Sequence, residues 1–336
     1  MTNLNSQPTI DGTSTDPVTR HLMQARERLM HADTSSFYLA DPAKAFKNQV
    51  VWKRVGRGNR LVTKESATAV DKAQEACAAA EASSGNATDV TSEIDANTLL
   101  EPAVLSAIVF IDIDDCWLTP CGYWKGPTKV TKKFEDLKLS FQGKGPSKDF
   151  LSQDFSAAVQ NAKMLMEEVA LGGAKSTGFL VASKTGGNAL RFRHIVFEEL
   201  KSTDSGSDTA SDSDDTWTMS NWPVVHSEAE HERDKLASTH RPVPLPAYDL
   251  NGELIAPNSC KTALAGAIAR VTFTLNHWFI ENGSNDQTSA TNCFVADVQS
   301  IRILVNPASQ GMSPKKRKTA RRDPGDVSPT KRANMS

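Results

Sequence analysis

Lysines and aromatic side chains alternate through residues 123–148. The segment has seven Lys against Glu135 and Asp136, a local charge of +5. Single-stranded nucleic acid is bound by this mixture, because cations follow the phosphates while rings stack under the bases. The contacts predicted here are Trp124, Lys125, Lys129, Lys132, Lys133 and Phe134. The alternative is a solvated lysine face, with Trp124 and Phe134 in the core.

Two aspartates lie at the end of the apolar run of residues 104–113. Residues 110–116 read FIDIDDC, with Asp112 and Asp114 spaced by one residue. This resembles the first motif of haloacid-dehalogenase-type phosphotransferases, which implies a nucleophile at Asp112 and an acid/base at Asp114. However, Cys116 stands where that family prefers Thr or Val, and no later strand ends in the paired acids that Mg²⁺ needs. We interpret the pair as part of the acidic, solvated turn into which the strand runs, and its likeness to a catalytic motif as coincidental. We therefore expect no enzymatic activity.

Three further patterns fall short of a phosphate-binding loop, a zinc site and a disulfide framework. Residues 172–177 (GGAKST) lack the Gly that must precede the Lys of a phosphate-binding loop. His277 and Cys293 fall in neighbouring strands but do not complete a four-ligand zinc set. The five cysteines include no CxxC pair, which is typical of free thiols in a reducing compartment. We therefore expect no metal and no cofactor.

The C-terminal tail is strongly basic. The formal charge of −2 divides into +6 on residues 313–336 and −8 on the preceding chain. The cluster resembles a monopartite nuclear localisation signal read by an import receptor, and plain nucleic-acid contact is the alternative. Its residues are Lys315, Lys316, Arg317, Lys318, Arg321 and Arg322.

Four serines resemble kinase sites. Ser313 and Ser328 each precede a proline and a nearby lysine, as in substrates of proline-directed kinases. Phosphates there cancel up to about four charges of the basic cluster. Ser211 and Ser213 lie in the acidic run and resemble casein-kinase-type sites.

The elements that must position these residues are mostly strands. Residues 267–280 alternate, with Val271, Phe273 and Leu275 on one face and Arg270 on the other, which predicts a half-buried strand. Residues 293–305 form its partner, and their apolar phase shifts by one residue, as at a β-bulge. Arg270 and Trp278 on the exposed face are further predicted nucleic-acid contacts.

Turn and cap signals place the remaining elements. Residues 49–63, 178–200 and 248–255 read as hairpins, the last around Asn251-Gly252. Residues 16–31 and 148–171 read as helices, the first with Asp16 as its N-cap.

The fold class predicted is all-β or β-dominated α+β, an OB-like antiparallel barrel or sandwich with a few peripheral helices. Residues 16–200 and 221–307 form one domain, in which 64–98 are a weak helix and linker. Residues 1–15, the acidic insertion 201–220 and the tail 308–336 are predicted to be disordered. No signal peptide or membrane span is recognised, so we expect a soluble intracellular protein.

One block carries a resemblance. Residues 242–307, with PLPAYDLNGELIAP, LAGAIARVTFTLNHW and FVADVQSIRILVNP, look like a block of uncharacterised proteins of mushroom-forming (basidiomycete) fungi. More distantly, the order of elements, with Gly266 before a long strand, is similar to phage-type single-stranded-DNA-binding OB-folds.

These patterns predict a nuclear, non-enzymatic protein that binds nucleic acid, single-stranded DNA in preference, on a basic and aromatic barrel face. The alternative is a nuclear protein-interaction module whose tail only directs import. The charge of −8 on the body favours the alternative, and the local +5 of residues 123–148 favours the first.

Overall fold

The structure, a computed structural model, describes residues 16–31, 36–43, 45–83, 99–129, 131–200, 217–281 and 290–307. The helices are α1 Pro17–Met30, α2 Lys64–Ser83, α3 Asp149–Val169, α4 Ser227–Leu236 and α5 Cys260–Leu264. The strands are β1 Phe37–Tyr38, β2 Val50–Val55, β3 Gly58–Thr63, β4 Val104–Trp117, β5 Lys138–Lys144, β6 Lys175–Thr177, β7 Leu180–Ala182, β8 Asn188–Ile195, β9 Phe197–Glu199, β10 His240–Pro242, β11 Ala247–Tyr248, β12 Ile268–Ile280 and β13 Thr291–Val305.

Five of these strands close into a barrel. β4, β5 and β8 pair antiparallel in that order, and β8 lies parallel beside β13. β13 pairs with β12, which returns antiparallel to β4. Three successive strands with a fourth beside the first form a Greek key, and a five-stranded Greek-key barrel is the architecture of the OB-fold. The predicted β-dominated, OB-like fold is confirmed.

The long strands β12 and β13 show the predicted alternation of inward and outward side chains, and the predicted β-bulge. Val271, Phe273 and Leu275 are fully buried. Thr272 faces Ser300 while Phe273 faces Val298. Gln299 is therefore the extra residue of a β-bulge, which shifts the apolar phase of β13 by one position.

The barrel interior is filled by aromatic rings from separate elements. Phe192 of β8 lies 5.1 Å from Phe141 of β5 and 5.1 Å from Phe273 of β12, measured between ring centroids. Phe179, from the turn between β6 and β7, lies 5.3 Å from Phe273. All four residues are at most 1% exposed, so three barrel strands and the β6–β7 turn contribute to one continuous core.

The helix α3 is joined to the N-terminal elements by a buried polar cluster. Asp154 accepts hydrogen bonds from Arg26 of α1 at 2.6 and 2.9 Å and from the Tyr38 hydroxyl at 2.8 Å. Burial, together with the Asp154 carboxylate, raises the pKa of Tyr38. Because Asp154 is 6% exposed, loss of either donor leaves a buried charge poorly compensated.

The course of β4 corrects one prediction. The strand does not end in a solvated turn at the aspartates but continues to Trp117. Ile111 faces Gly143 and Cys116 faces Phe141, so four residues bulge opposite a single residue of β5. Asp112 and Asp115 are buried there, because lysines from two distant segments neutralise them.

Several other bounds agree with the sequence. The predicted helices at 16–31 and 148–171 are α1 and α3, and Asp16 caps α1 through the Val18 and Thr19 amides. The hairpin predicted in 49–63 is β2–β3, and that in 178–200 is β7–β8. The described chain resumes at residue 217, inside the predicted insertion, and Met219 is already buried. Within the described residues, no helix is long and apolar enough to span a membrane.

Candidate nucleic-acid interface

The connection between β4 and β5 carries most of the contacts predicted from the sequence. Its two rings, Trp124 and Phe134, are 6% and 2% exposed. Their centroids are 5.6 Å apart, and Phe134 also lies 5.0 Å from Phe197. A base stacks on a ring whose face is open. These two rings are core residues instead, which corrects the prediction that they stack on bases.

The lysines of this connection are exposed, but acids lie beside two of them, Lys132 and Lys133. The four lysines are Lys125, Lys129, Lys132 and Lys133. A groove of about 500 Å³ separates the connection from α4 and is lined by Lys132 and Lys133 together with Glu228 and Glu232. Lys133 also pairs with Glu135 at 2.7 Å, and this hydrogen bond raises the pKa of Lys133. A phosphate entering the groove meets both signs of charge, so the groove is a weaker anion site than the sequence indicated.

The two contacts predicted on β12 lie apart from that groove and from each other. Arg270 and Trp278 are both half-buried on the outward side of the strand. Eight residues separate them, roughly 26 Å along a strand. Arg270 faces Arg302 of β13, whereas Trp278 contacts Gly58 of the β2–β3 hairpin. The predicted site residues therefore do not meet in one place.

A surface that the sequence analysis did not single out lies on the outward side of β5 and β8. Register places Arg193 beside Ser140, and Trp117 of β4 on the other side of Ser140. Trp117 is 53% exposed. We call this surface the β5–β8 face; its residues are Trp117, Lys138, Ser140, Gln142, Arg191 and Arg193. It joins an open ring to three cations on a rigid sheet.

A second tryptophan borders this face. The guanidinium of Arg193 lies 5.7 Å from the centroid of the Trp278 ring. Asp297 of β13 pairs with Arg193 and also accepts a hydrogen bond from Asn276 at 2.9 Å. The ion pair and the ring hold Arg193 in position, so Trp278 is the predicted contact that the structure brings beside the β5–β8 face.

A cleft of about 240 Å³ opens in the same face. Its lining residues are Asp115, Trp117, Ser140, Phe141, Gln142 and Arg191. The ring of Trp117 is exposed and so is the side chain of Arg191, while Gln142 is 5% exposed. The cleft thus combines an aromatic side chain, a cation and buried polar groups, which is the composition of a site for a planar, polar ligand.

The margin of the cleft is fixed by ion pairs to the β7–β8 turn and to β5. Lys184 donates a 2.7 Å hydrogen bond to Asp115 Oδ1, and this bond raises the pKa of Lys184. Lys144 pairs with Asp112 and donates to the Thr185 hydroxyl at 3.0 Å. These contacts hold the bulge of β4 against the strand that forms the cleft floor.

The cations that β8 contributes to the β5–β8 face could have been predicted from the sequence. Residues 190–194 read LRFRH, in which Arg191 and Arg193 alternate with buried neighbours. That alternation indicates an outward row of cations on a half-buried strand. Trp117 had no such signal, because the three aspartates before it indicated a turn rather than a continuing strand.

No family model and no curated protein matches the chain. Among solved structures, the chain is similar to gp2.5, a single-stranded DNA binding protein encoded by bacteriophage T7. The identity is 9%, the TM-score is 0.31, and the likeness covers 63% of this chain and 91% of that one. The resemblance of residues 242–307 to fungal proteins stays a prediction.

His277 belongs to a buried hydrogen-bond network. It is 1% exposed, and its ring nitrogens lie 3.1 Å from Asn59 Nδ2 and 3.0 Å from Asn292 Oδ1. Asn292 in turn donates to the backbone carbonyl of Leu171. Within the described part of the chain, no three His, Cys, Asp or Glu side chains are grouped to hold a metal ion. His277 and Asn292 connect β12 and β13 to the end of α3.

The remaining predicted residues have no common site. Asp112 is 4% exposed and paired with Lys144, while Asp114 is exposed. The absence of catalytic activity stays a prediction. The localisation cluster 315–322 and the four serines predicted as kinase sites lie outside the described residues.

Proposed function

We propose that the chain binds single-stranded nucleic acid, DNA in preference, on the β5–β8 face of its OB-like barrel. The observation that carries the proposal is the exposed Trp117 ring beside the exposed Arg191 in the cleft of that face. OB-folds bind oligonucleotides on the face of their second and third strands, which are β5 and β8 here.

The charges of this face support the proposal. Within the described residues, neither Lys138 nor Arg191 makes an ion pair, and both are exposed. Bases stacked on Trp117 leave the backbone within reach of these side chains, whereas Arg193 is held by Asp297. Sequence-tolerant binding follows, because every base has a face that can stack.

The test measures affinity of the full chain for a dT oligomer at several salt concentrations. We expect log Kobs to fall linearly with log[salt], with a slope of about −0.7 for each phosphate neutralised. Trp117→Ala is expected to weaken binding by roughly 5- to 150-fold, the equivalent of one stacked base. Arg191→Ala is expected to weaken binding and to make the salt slope shallower.

Matched controls separate this face from the other basic surfaces. Arg28→Ala removes an exposed guanidinium from α1 and is expected to change little. The triple variant Lys129/Lys132/Lys133→Ala tests the connection predicted from the sequence. If that variant loses affinity while Trp117→Ala and Arg191→Ala bind like the unaltered chain, the β5–β8 face is not the binding surface.

A protein partner is the second candidate. Trp117 on this face is 53% exposed, and Ile195, which borders the face opposite Lys138, is 40% exposed. Exposed apolar patches occur at protein interfaces. Together with the charge of −8 on residues 1–312, this favours a protein-interaction module. Loss of all oligonucleotide binding on deletion of residues 309–336 would establish that the tail, not the barrel, binds nucleic acid, and this candidate would then lead.

We also propose that the chain acts in the nucleus, imported by a receptor that reads its basic tail and regulated there by a proline-directed kinase. Fused to a cytosolic reporter, residues 309–336 are expected to carry it into the nucleus. Replacing the four residues Lys315, Lys316, Arg317 and Lys318 by Ala is expected to keep it out, because the receptor requires the clustered charge. An even distribution of both reporters contradicts the proposal.

A further inference from the structure

Two buried acceptors in the cleft of the β5–β8 face have no donor in the part of the chain that the structure describes. Asp115 and Gln142 are 8% and 5% exposed, and both line the cleft. Lys184 occupies Oδ1 of Asp115, but Asp115 Oδ2 and Gln142 Oε1 have no hydrogen-bond donor within the described residues. Buried acceptors are rarely left in this state, so each such group calls for an explanation. A ligand that brings two hydrogen-bond donors into the cleft would explain both acceptors.

The exposed residues of the cleft restrict what that ligand is. Trp117 offers an aromatic face, which selects a flat ring. Arg191 offers guanidinium donors, which pair with two neighbouring acceptors on such a ring, as they do with O6 and N7 of guanine. The ligand therefore has two donors on one edge and two acceptors on another.

Among the four DNA bases, guanine has this pattern. Its N1–H and N2 amino group are adjacent donors, and its O6 and N7 are acceptors. Adenine and cytosine each present a single amino group, and thymine a single ring N–H. We propose that the cleft reads one guanine of the bound strand, with Asp115 Oδ2 and Gln142 Oε1 accepting from its donor edge and Arg191 facing its acceptors. This inference rests on the proposed function and adds a base preference to it.

The surrounding structure holds the two acceptors in fixed positions, which recognition of a single base requires. Gln142 lies on a paired strand, and the Lys184 ion pair fixes the other oxygen of Asp115. The two acceptor oxygens have almost no solvent-accessible surface of their own. Side chains that line the cleft therefore shift to admit the base, and Trp117 and Arg191 then close on it. Exposed side chains change rotamer within nanoseconds.

The test compares dT oligomers of one length that differ at a single central position. We expect the oligomer with one dG to bind at least about fivefold tighter than all-dT, the effect of one well-formed base contact. Oligomers with dA or dC are expected to match all-dT. Deoxyinosine, which keeps N1–H, O6 and N7 but lacks the amino group, is expected to lose most of the gain. A single dG also prevents the strand from forming guanine-rich structures.

Two variants test the acceptors. Gln142→Leu and Asp115→Asn are each expected to bring the ratio of dG to dT affinity close to one, and thermal melts check that each variant is folded. The ratio is measured within one variant, so a partial loss of stability does not imitate the effect. As a control, Lys175→Ala removes an exposed charge on β6 and is expected to leave the ratio unchanged.

The outcomes are distinct. Equal affinity for the dG and dT oligomers, with dT bound, overturns the guanine preference and leaves the proposed function standing. A preference that persists in Gln142→Leu and Asp115→Asn shows that another surface reads the base, which also overturns the inference. Absence of binding to every oligomer overturns the proposed function, and the inference with it.

Discussion

Phe273→Ala is expected to lower the free energy of unfolding by about 3–5 kcal/mol. The ring is fully buried in β12 and contacts Phe179 and Phe192 from other sides of the barrel. Because two other elements, the β6–β7 turn and β8, pack against it, the cavity left by Ala cannot collapse fully. The loss is a large share of the ~5–15 kcal/mol that stabilises a typical domain.

The matched control is Thr272→Ala, one residue earlier on the opposite side of the strand. Its hydroxyl lies 2.7 Å from that of Ser300 on the outer surface, so we expect a loss of about 1 kcal/mol or less. Urea denaturation with an unchanged m-value measures both losses. Equal losses would contradict the assignment of which residues of β12 face inward, and with it the outward position of Trp278.

The β12–β13 pair was predictable because its signal is local. Period-two alternation identifies the buried face of a strand, and a shift of that alternation identifies a bulge, here at Gln299. Closure of the barrel was not local. It requires Ala107 of β4 to face Val271 of β12, a pairing across more than 160 residues that no short pattern encodes.

The candidate site was harder to predict for two physical reasons. Trp124 and Phe134 lie in a connection without regular periodicity, so the sequence does not reveal that both rings face inward. Trp117 follows three aspartates, whose charges indicated solvent. Asp112 and Asp115 are buried because Lys144 and Lys184 reach them from elsewhere in the chain, and such compensation is visible only in three dimensions.

The local composition of residues 123–148 also overstated their charge. The lysines are exposed as predicted, but α4, about 100 residues later in the chain, brings Glu228 and Glu232 to the same groove. The net charge of a sequence segment includes only residues that are neighbours along the chain. The field at a surface depends on charges within about 8–10 Å in space at moderate salt, and here those include the acids of a distant helix.

Gly178→Ala, which adds a single methyl group, is expected to destabilise the barrel more than any other substitution of that size. Gly178 has φ of +100°, and a Cβ there would overlap the backbone oxygen of Phe294. The contact is with backbone of a central strand, which cannot turn aside as a flexible side chain can. The loss of stability is expected to exceed about 4 kcal/mol, a value that single substitutions reach only by such mechanisms.

Two other glycines separate the causes. Gly186 has a similar φ of +94° but open space around its Cβ position, so Gly186→Ala is expected to cost only the backbone strain, about 1–2 kcal/mol. Gly172 also has open space and no left-handed φ, and Gly172→Ala is expected to change stability by less than about 1 kcal/mol. Urea melts of the three variants measure the series. If Gly178→Ala costs no more than Gly186→Ala, the close approach of the β6–β7 turn to β13 is wrong, and so is the position of Phe179 in the barrel core, because Phe179 directly follows that contact.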